Sequence, residues 1–233
     1  MRYTAMALDY DGTIARNGVV PANVLRGLRK LKATGRKLLL VTGRQLEDLL
    51  AVFPGIAIFD RVVAENGALF YRPDTGESRE LGKRPPVTLI DALKASGIPL
   101  AVGHTILATI RPFETVVLEC IANQGLELQV IFNKGAVMVL PQGCNKASGL
   151  KFALDELGIS PRNLVAAGDG ENDQALLAMA EYSVATANAV TRLKAAADYV
   201  TEATHGEGVL EVIGALLTSD LATLPPRAHR CAT

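Results

Sequence analysis

Two aspartates, Asp9 and Asp11, flank Tyr10 just after the first apolar run and just before Gly12-Thr13. Two residues apart in extended chain, their side chains leave on the same side. Carboxylates this close repel one another and stay ionised cheaply only with a cation between them. Hard oxygen donors of this kind favour Mg²⁺. Asp169 and Asp173, in Gly168-Asp169-Gly170-Glu171-Asn172-Asp173, are candidates to complete an acidic ring, with Lys146 as its counter-charge. Thr42 and Gly43, in Val41-Thr42-Gly43-Arg44, offer a hydroxyl and a backbone amide suited to a phosphoryl oxygen.

Each signal taken singly also has a plainer reading. Asp and Gly are ordinary turn residues, Thr-Gly-Arg is a common way to leave a strand, and a lysine at a helix start is usually solvated. The acidic hexapeptide is not a calcium loop, because Gln174 stands where that loop needs Gly and Ala180 where it needs Glu. Nor is it a dinucleotide fingerprint, since Asp173 replaces the third glycine. The weight comes from finding all of them in one chain, each at the end of an element.

Those elements follow from the apolar pattern. Unalternating runs at 5–8, 38–41 and 164–167 read as strands buried on both faces, as in a parallel sheet. Helical periodicity runs from Pro21 to Gly35, with Val24, Leu25, Leu28 and Leu31 on one face, and again over 45–52 and 145–157. Residues 61–71 read as strand material broken at Asn66-Gly67. Further pieces follow at 182–185 (strand), 190–196 and 208–217. This alternation predicts an α/β fold with a doubly wound parallel sheet, whose ligands bind beyond the carboxyl ends of the strands.

The middle is different. Helix (86–96), strand (100–107), helix (112–123) and two strands (127–132 and 136–140) around the Asn133-Lys134-Gly135 turn predict a small α+β module inserted at 82–142. The core is then 1–81 and 143–218. Residues 219–233, with Pro225-Pro226, read as a tail or linker dispensable for catalysis. His104 and Arg111 of the insert are candidates to face a substrate, or else surface or packed side chains. Arg44 is either a substrate contact or a surface charge.

Composition narrows the function classes. The 233 residues carry 24 Lys+Arg against 24 Asp+Glu, with 5% aromatics and no Trp. Neither a basic field nor stacking platforms are present for nucleic acid. Apolar stretches fall short of the roughly 20 residues a membrane span needs. Three widely spaced cysteines, Cys120, Cys144 and Cys231, suit a reducing cytoplasm better than a disulfide framework. No Gly-x-Ser-x-Gly elbow or P-loop is present, so a serine hydrolase or nucleotide-triphosphatase reading has no support.

Asp9-Tyr10-Asp11-Gly12-Thr13, Val41-Thr42-Gly43-Arg44, Lys146 and Gly168–Asp173 together resemble motifs I to IV of the haloacid dehalogenase-like (HAD) superfamily, in the superfamily's order. The insert lies between motifs II and III, the place of a C2-type cap. With the Gly-Asp-x-x-Asn-Asp form of motif IV, this is similar to the Cof-like subclass IIB of Mg²⁺-dependent phosphatases, and its short cap to phosphoglycolate and sucrose-phosphate phosphatases. The resemblance implies a phosphatase acting on a small phosphorylated metabolite. It implies Asp9 as the nucleophile that becomes aspartyl phosphate, Asp11 as general acid and then base, and Lys146 beside them. Mg²⁺ would be held by the Asp9 carboxylate, the Asp11 carbonyl and Asp169, with Asp173 as a ligand through water or behind the ligands. Thr42, Gly43, Arg44 and Asn172 would contact substrate. A phosphomutase or phosphotransferase of the same fold, and a non-catalytic regulatory module, are the alternatives.

Overall fold

Short apolar runs that do not alternate become strands whose two faces are both covered. The structure, a computed structural model, describes residues 1–224. The chain runs through β1 (Ala5–Leu8), α1 (Ala22–Ala33), β2 (Lys37–Val41), α2 (Leu46–Val52), β3 (Arg61–Ala64), β4 (Leu69–Tyr71) and β5 (Ser78–Glu80). It continues through α3 (Val87–Ala95), β6 (Ala101–Val102), β7 (Leu107–Ile110), α4 (Glu114–Asn123), β8 (Leu128–Asn133) and β9 (Ala136–Pro141). Then come α5 (Lys146–Leu157), β10 (Leu164–Gly168), α6 (Gln174–Met179), β11 (Tyr182–Ala185), α7 (Thr191–Ala196), β12 (Tyr199–Val200) and α8 (His205–Ser219).

Eight strands form one sheet in the order β12-β11-β10-β1-β2-β3-β4-β5, and β6-β7-β9-β8 form a second. From β12 to β3 every pairing is parallel, and β4 and β5 extend that sheet antiparallel. Met6, Leu8, Leu38, Leu40 and Val62 pack on one face with α1 and α8, while Ala5, Ala7, Leu39, Val41 and Val63 pack on the other with α5. This double burial explains the continuous apolar runs, each buried leucine contributing about 1.5–3 kcal/mol. The chain leaves β1 toward β2 on one side and later returns to its other side as β10. The carboxyl end of β1 therefore lies at the topological switch point, where open α/β sheets bind ligands.

The second sheet is antiparallel throughout. One of its faces carries Leu107, Val137 and Val139 against Leu89, Leu93 and Val117 of α3 and α4. The other brings Ile106, Ile131, Met138 and Leu140 against Ala68 and Cys144 of the larger body. The β8–β9 hairpin turns through Lys134 (φ 46°) and Gly135 (φ 88°), the two left-handed residues of a type I′ loop.

Several expectations shift. The strand read at 100–107 is two strands, β6 and β7, because the chain turns between them, with the Gly103 amide donating to the Ile106 carbonyl at 2.9 Å. The exposed strand β5 and the two-residue β12 have no apolar pattern to announce them, and α6, six residues long, is too short to show a helical period. The tail expected from 219 is packed on the core through its first residues. Leu221 is buried in the main core, and the Tyr182 hydroxyl donates to the Leu224 carbonyl at 2.6 Å. Residues 225–233 of that expected tail, Cys231 among them, lie outside the described residues. Among the described residues no helix is long and apolar enough to cross a membrane.

Candidate active site

β1 delivers Asp9 to the switch point, and α5 delivers Lys146. Asn145 caps α5, its side chain accepting from the amides of Ala147 and Ser148 at 2.9 and 3.0 Å, which fixes Lys146 as the first helical residue. The fully buried Lys146 ammonium donates to Asp9 Oδ1 at 2.5 Å and to Asp173 Oδ1 at 2.6 Å. Thr13 donates its hydroxyl to the other Asp9 oxygen at 3.1 Å. Burial and the neighbouring Asp173 charge outweigh Lys146 and push the Asp9 carboxyl up to about 7. Burial also works against the Lys146 charge, but Asp173 and Asp9 overcome it and hold that group above the usual lysine range.

Asp169 follows β10, and the turn after it is closed by Asp173. One Asp173 oxygen accepts from the amides of Asp169 and Gly170 at 3.0 and 2.9 Å, leaving the other for Lys146. Asp169 lies so close beneath Gly12 that a Cβ there would overlap its carboxylate, and Gly12 has φ 84°; glycine meets both demands. Asp169 Oδ2 accepts from Asn188 Nδ2 at 2.9 Å and from the Lys134 ammonium at the tip of the β8–β9 hairpin. Burial raises its carboxyl, against the pull of Lys134.

Asp9, Asp169 and Asp173 each offer a carboxylate oxygen within 4.8 Å of one another, all three buried. Three buried carboxylates face two ammonium groups, and hard oxygen donors in excess of positive charge suit a small divalent cation. The residues therefore fit a small divalent cation such as Mg²⁺, which Asp9 and Asp169 would hold with Asp173 beside them.

Asp11 does not join that group. The chain leaves extended geometry after β1, with the Tyr10 carbonyl accepting from the amides of Ile14 and Ala15 at 3.0 and 2.9 Å, so the same-side expectation for Asp9 and Asp11 fails. The Asp11 side chain is 46% exposed and gripped by Arg44, Nε to Oδ2 at 2.6 Å and Nη2 to Oδ1 at 2.9 Å. Arg44 also holds Asp48 at 2.6 Å and lies over the Tyr10 ring, so its guanidinium is committed to the protein. Thr42 is buried at the end of β2, its hydroxyl accepting from the Arg44 amide at 3.1 Å. Gly43 faces Asn172 and Met138. Asn172 donates to Asn66 Oδ1 at 2.9 Å. The insert residues His104 and Arg111 lie elsewhere: His104 Nε2 is 2.7 Å from Glu47 Oε1, and Arg111 stacks on Phe132.

Sequence reading missed Asn188, Lys134 and Asn66. Asn188 follows β11, the strand beside β10, and links Asp169 to the Gly12 carbonyl, to which it donates at 2.8 Å. Its place beyond the carboxyl end of a parallel strand was the available signal. Lys134 had none beyond its turn.

The family model of haloacid dehalogenase-like hydrolases matches residues 6–105 and 129–213. The chain belongs to the haloacid dehalogenase-like hydrolase family. It is an enzyme of phosphatase type, as the resemblance to the Cof-like branch of this family implied. A phosphoglycolate phosphatase of Methanothermobacter thermautotrophicus is 32% identical over 219 residues, covering 90% of this chain and 96% of that one. A haloacid dehalogenase-like hydrolase from Bacteroides thetaiotaomicron superposes with a TM-score of 0.80 at 21% identity, covering 92% of this chain and 99% of that one. A HAD subclass IIB sugar phosphatase superposes at 0.73 with 20% identity, over 91% and 98%. These two likenesses are of fold.

Proposed function

We propose that the chain is a Mg²⁺-dependent phosphomonoesterase that hydrolyses a small phosphorylated metabolite, of the phosphoglycolate or sugar-phosphate kind, through an aspartyl phosphate on Asp9. One observation carries this reading. A buried carboxylate stands at the switch-point strand end, shared between Lys146 and a centre of two further carboxylates that fits a divalent cation.

When bound, Mg²⁺ supplies the positive charge that lets an anionic carboxylate approach an anionic phosphoryl group. Lys146, Thr42 and the Gly43 amide hold the phosphoryl oxygens. An Asp9 oxygen forms a bond to phosphorus as the ester P–O bond breaks, and Asp11 gives its proton to the departing oxygen. Asp11 then takes a proton from the water that attacks phosphorus, releasing Asp9 and inorganic phosphate. Arg44 forks Asp11 in its ionised form, so Asp11 leaves that fork and takes up a proton before it acts. Residues 82–142 form the C2-type cap over a core made of 1–81 and 143–218, and the odd, scattered cysteines favour a reducing cytoplasm for the whole.

The test is hydrolysis of p-nitrophenyl phosphate with and without Mg²⁺, followed by acid quench and mass spectrometry of the peptide containing Asp9. Mg²⁺-dependent release of inorganic phosphate, with transient phosphate on Asp9, is expected. A long-lived phosphate without turnover would favour the regulatory module. Transfer to a sugar hydroxyl in place of water would favour the mutase.

A further inference from the structure

Asn188 takes no part in the bond-making steps above, yet its carboxamide is fully engaged at the centre. Its two N–H groups donate to the Gly12 carbonyl at 2.8 Å and to Asp169 Oδ2 at 2.9 Å, and its Oδ1 accepts from the His205 amide at 2.8 Å. Only this orientation of the amide gives each of the three contacts a donor and an acceptor. The loop that carries it is lashed to the end of β10, the Thr186 amide donating to the Gly168 carbonyl at 3.2 Å and the Val190 amide to the Asp169 carbonyl at 3.0 Å. His205, the first residue of α8, holds a left-handed φ of 54° with its amide on Asn188. Few residues other than glycine keep such a backbone unless their surroundings over-determine it.

Asp169 is thereby divided between its two oxygens. Oδ2 is taken by Asn188 and by the Lys134 ammonium, while Oδ1 lies 3.5 Å from the Thr13 hydroxyl. That hydroxyl donates to Asp9 Oδ2 at 3.1 Å, and the other Asp9 oxygen is on Lys146. Asp9 and Asp169 therefore turn one oxygen each toward the same hydroxyl. The Lys134 contact comes from a flexible side chain that is 43% exposed, whereas Asn188 is fixed at three points.

We propose that Asn188 is a positioning residue that keeps Asp169 a one-oxygen ligand, and that it thereby favours Mg²⁺ over Ca²⁺ at this centre. The proposal rests on the metal-dependent reading of the site. Mg²⁺ demands near-ideal octahedral geometry, which the narrow bite of a carboxylate bound through both oxygens does not fit, whereas the larger Ca²⁺ accepts both. With Oδ2 held by an amide that is itself anchored to Gly12 and His205, binding through both oxygens of Asp169 costs a hydrogen bond beside a buried carboxylate. One-oxygen binding costs nothing of the kind.

The experiment is calorimetric titration of the substrate-free protein with Mg²⁺ and, separately, with Ca²⁺, comparing wild type with Asn188→Ala, together with the Tm of both proteins in chelator. Mg²⁺ affinity should fall by about tenfold or more, the usual cost of losing a group that orients a metal ligand, and Ca²⁺ affinity should fall much less. The preference between the two cations therefore shifts toward Ca²⁺. Equal losses for both cations, with Tm in chelator lowered as well, would make Asn188 a support of the fold and overturn the proposal. Unchanged Mg²⁺ affinity would overturn it too. Should Asn188→Ala not fold, Asn188→Ser keeps a small polar group at this half-buried position but cannot reach Asp169, and the same shift is expected. A wild-type preference in that variant is again fatal. Absence of Mg²⁺ binding by the wild type would remove the proposal along with the metal centre. The phosphatase reading fails separately, if the wild type binds Mg²⁺ but does not hydrolyse p-nitrophenyl phosphate.

Discussion

Glu65 of the larger body holds Thr105 of the inserted module through both of that residue's donors, the amide at 2.7 Å and the hydroxyl at 2.8 Å, on a single carboxylate oxygen. The same carboxylate accepts from the amides of His104 at 2.9 Å and Ile106 at 3.1 Å, and it is fully buried. Glu65 and Asn66 both have left-handed backbones, at φ 50° and 55°, and their amides donate to the Arg44 and Thr42 carbonyls at 2.8 and 2.9 Å. One strained turn therefore ties the loop after β2 to the inserted module. Strain of this kind persists where the surroundings over-determine it.

Glu65→Gln should consequently do more than remove a charge. Its amide group would present N–H to N–H, leaving buried donors unpaired, at about 2–4 kcal/mol. Urea unfolding should show that loss. The folded fraction should show a raised KM with kcat less affected, because the module would sit less firmly over a centre whose own residues are intact. A KM equal to wild type would mean that this joint does not position substrate.

Asp9 and Asp11 should fail differently. Asp9→Asn removes the nucleophile, so neither phosphoenzyme nor product forms. Asp11→Asn leaves the nucleophile and should slow turnover by about 10²–10⁴-fold, the usual size of general acid–base help. With p-nitrophenol as a leaving group that needs little protonation, phosphate should accumulate on Asp9 in Asp11→Asn and be seen after acid quench. Wild-type hydrolysis by Asp9→Asn would end the covalent mechanism.

The three-carboxylate centre makes a thermal prediction. A cation that binds the folded state alone stabilises it by about 2.7 kcal/mol at a hundredfold excess over Kd. Mg²⁺ should raise Tm, and Asp173→Asn should lose much of that rise along with activity. Chelator should abolish turnover. Ca²⁺ should inhibit, since it accepts more ligands and a looser geometry than Mg²⁺. Full activity in chelator would refute the assignment.

How far the sequence carried this picture depends on distance along the chain. Strands β1, β2 and β10 were legible because unbroken apolar runs stop at polar residues, and their ends gave Asp9, Thr42 and Asp169 together. The side-chain pairings were not. Arg44 takes Asp11 across 33 positions, Lys134 meets Asp169 across 35, and Glu65 meets Thr105 across 40. Each depends on how the inserted sheet or a loop docks, and no local periodicity encodes that. β5 escaped because its residues, Ser78-Arg79-Glu80, are polar and partly or fully exposed, at an edge.

The end of α8 gives the last prediction, and it reverses the expected dispensability of everything past 218. The nearly buried Arg36 donates to Asp220 Oδ1 at 2.8 Å and to the Leu216 carbonyl at 3.1 Å, and Asp220 also accepts from the Arg2 amide. Leu221 adds its side chain to the core. Truncation after Thr218 deletes that leucine and leaves a buried guanidinium without its carboxylate, so stability should fall by about 3–5 kcal/mol. Burial works to raise the Asp220 carboxyl, but the Arg2 amide and Arg36 prevail and hold it below the ordinary aspartate value. A depressed folded pKa gives stability that is present above the unfolded value, near pH 4, and lost as pH falls through the folded one. Asp220→Asn should thus be less stable than wild type at neutral pH and approach it below about pH 4. Urea midpoints across pH 3–7 measure this; a constant gap between the two proteins would show that the Arg36 pairing is not what the tail contributes.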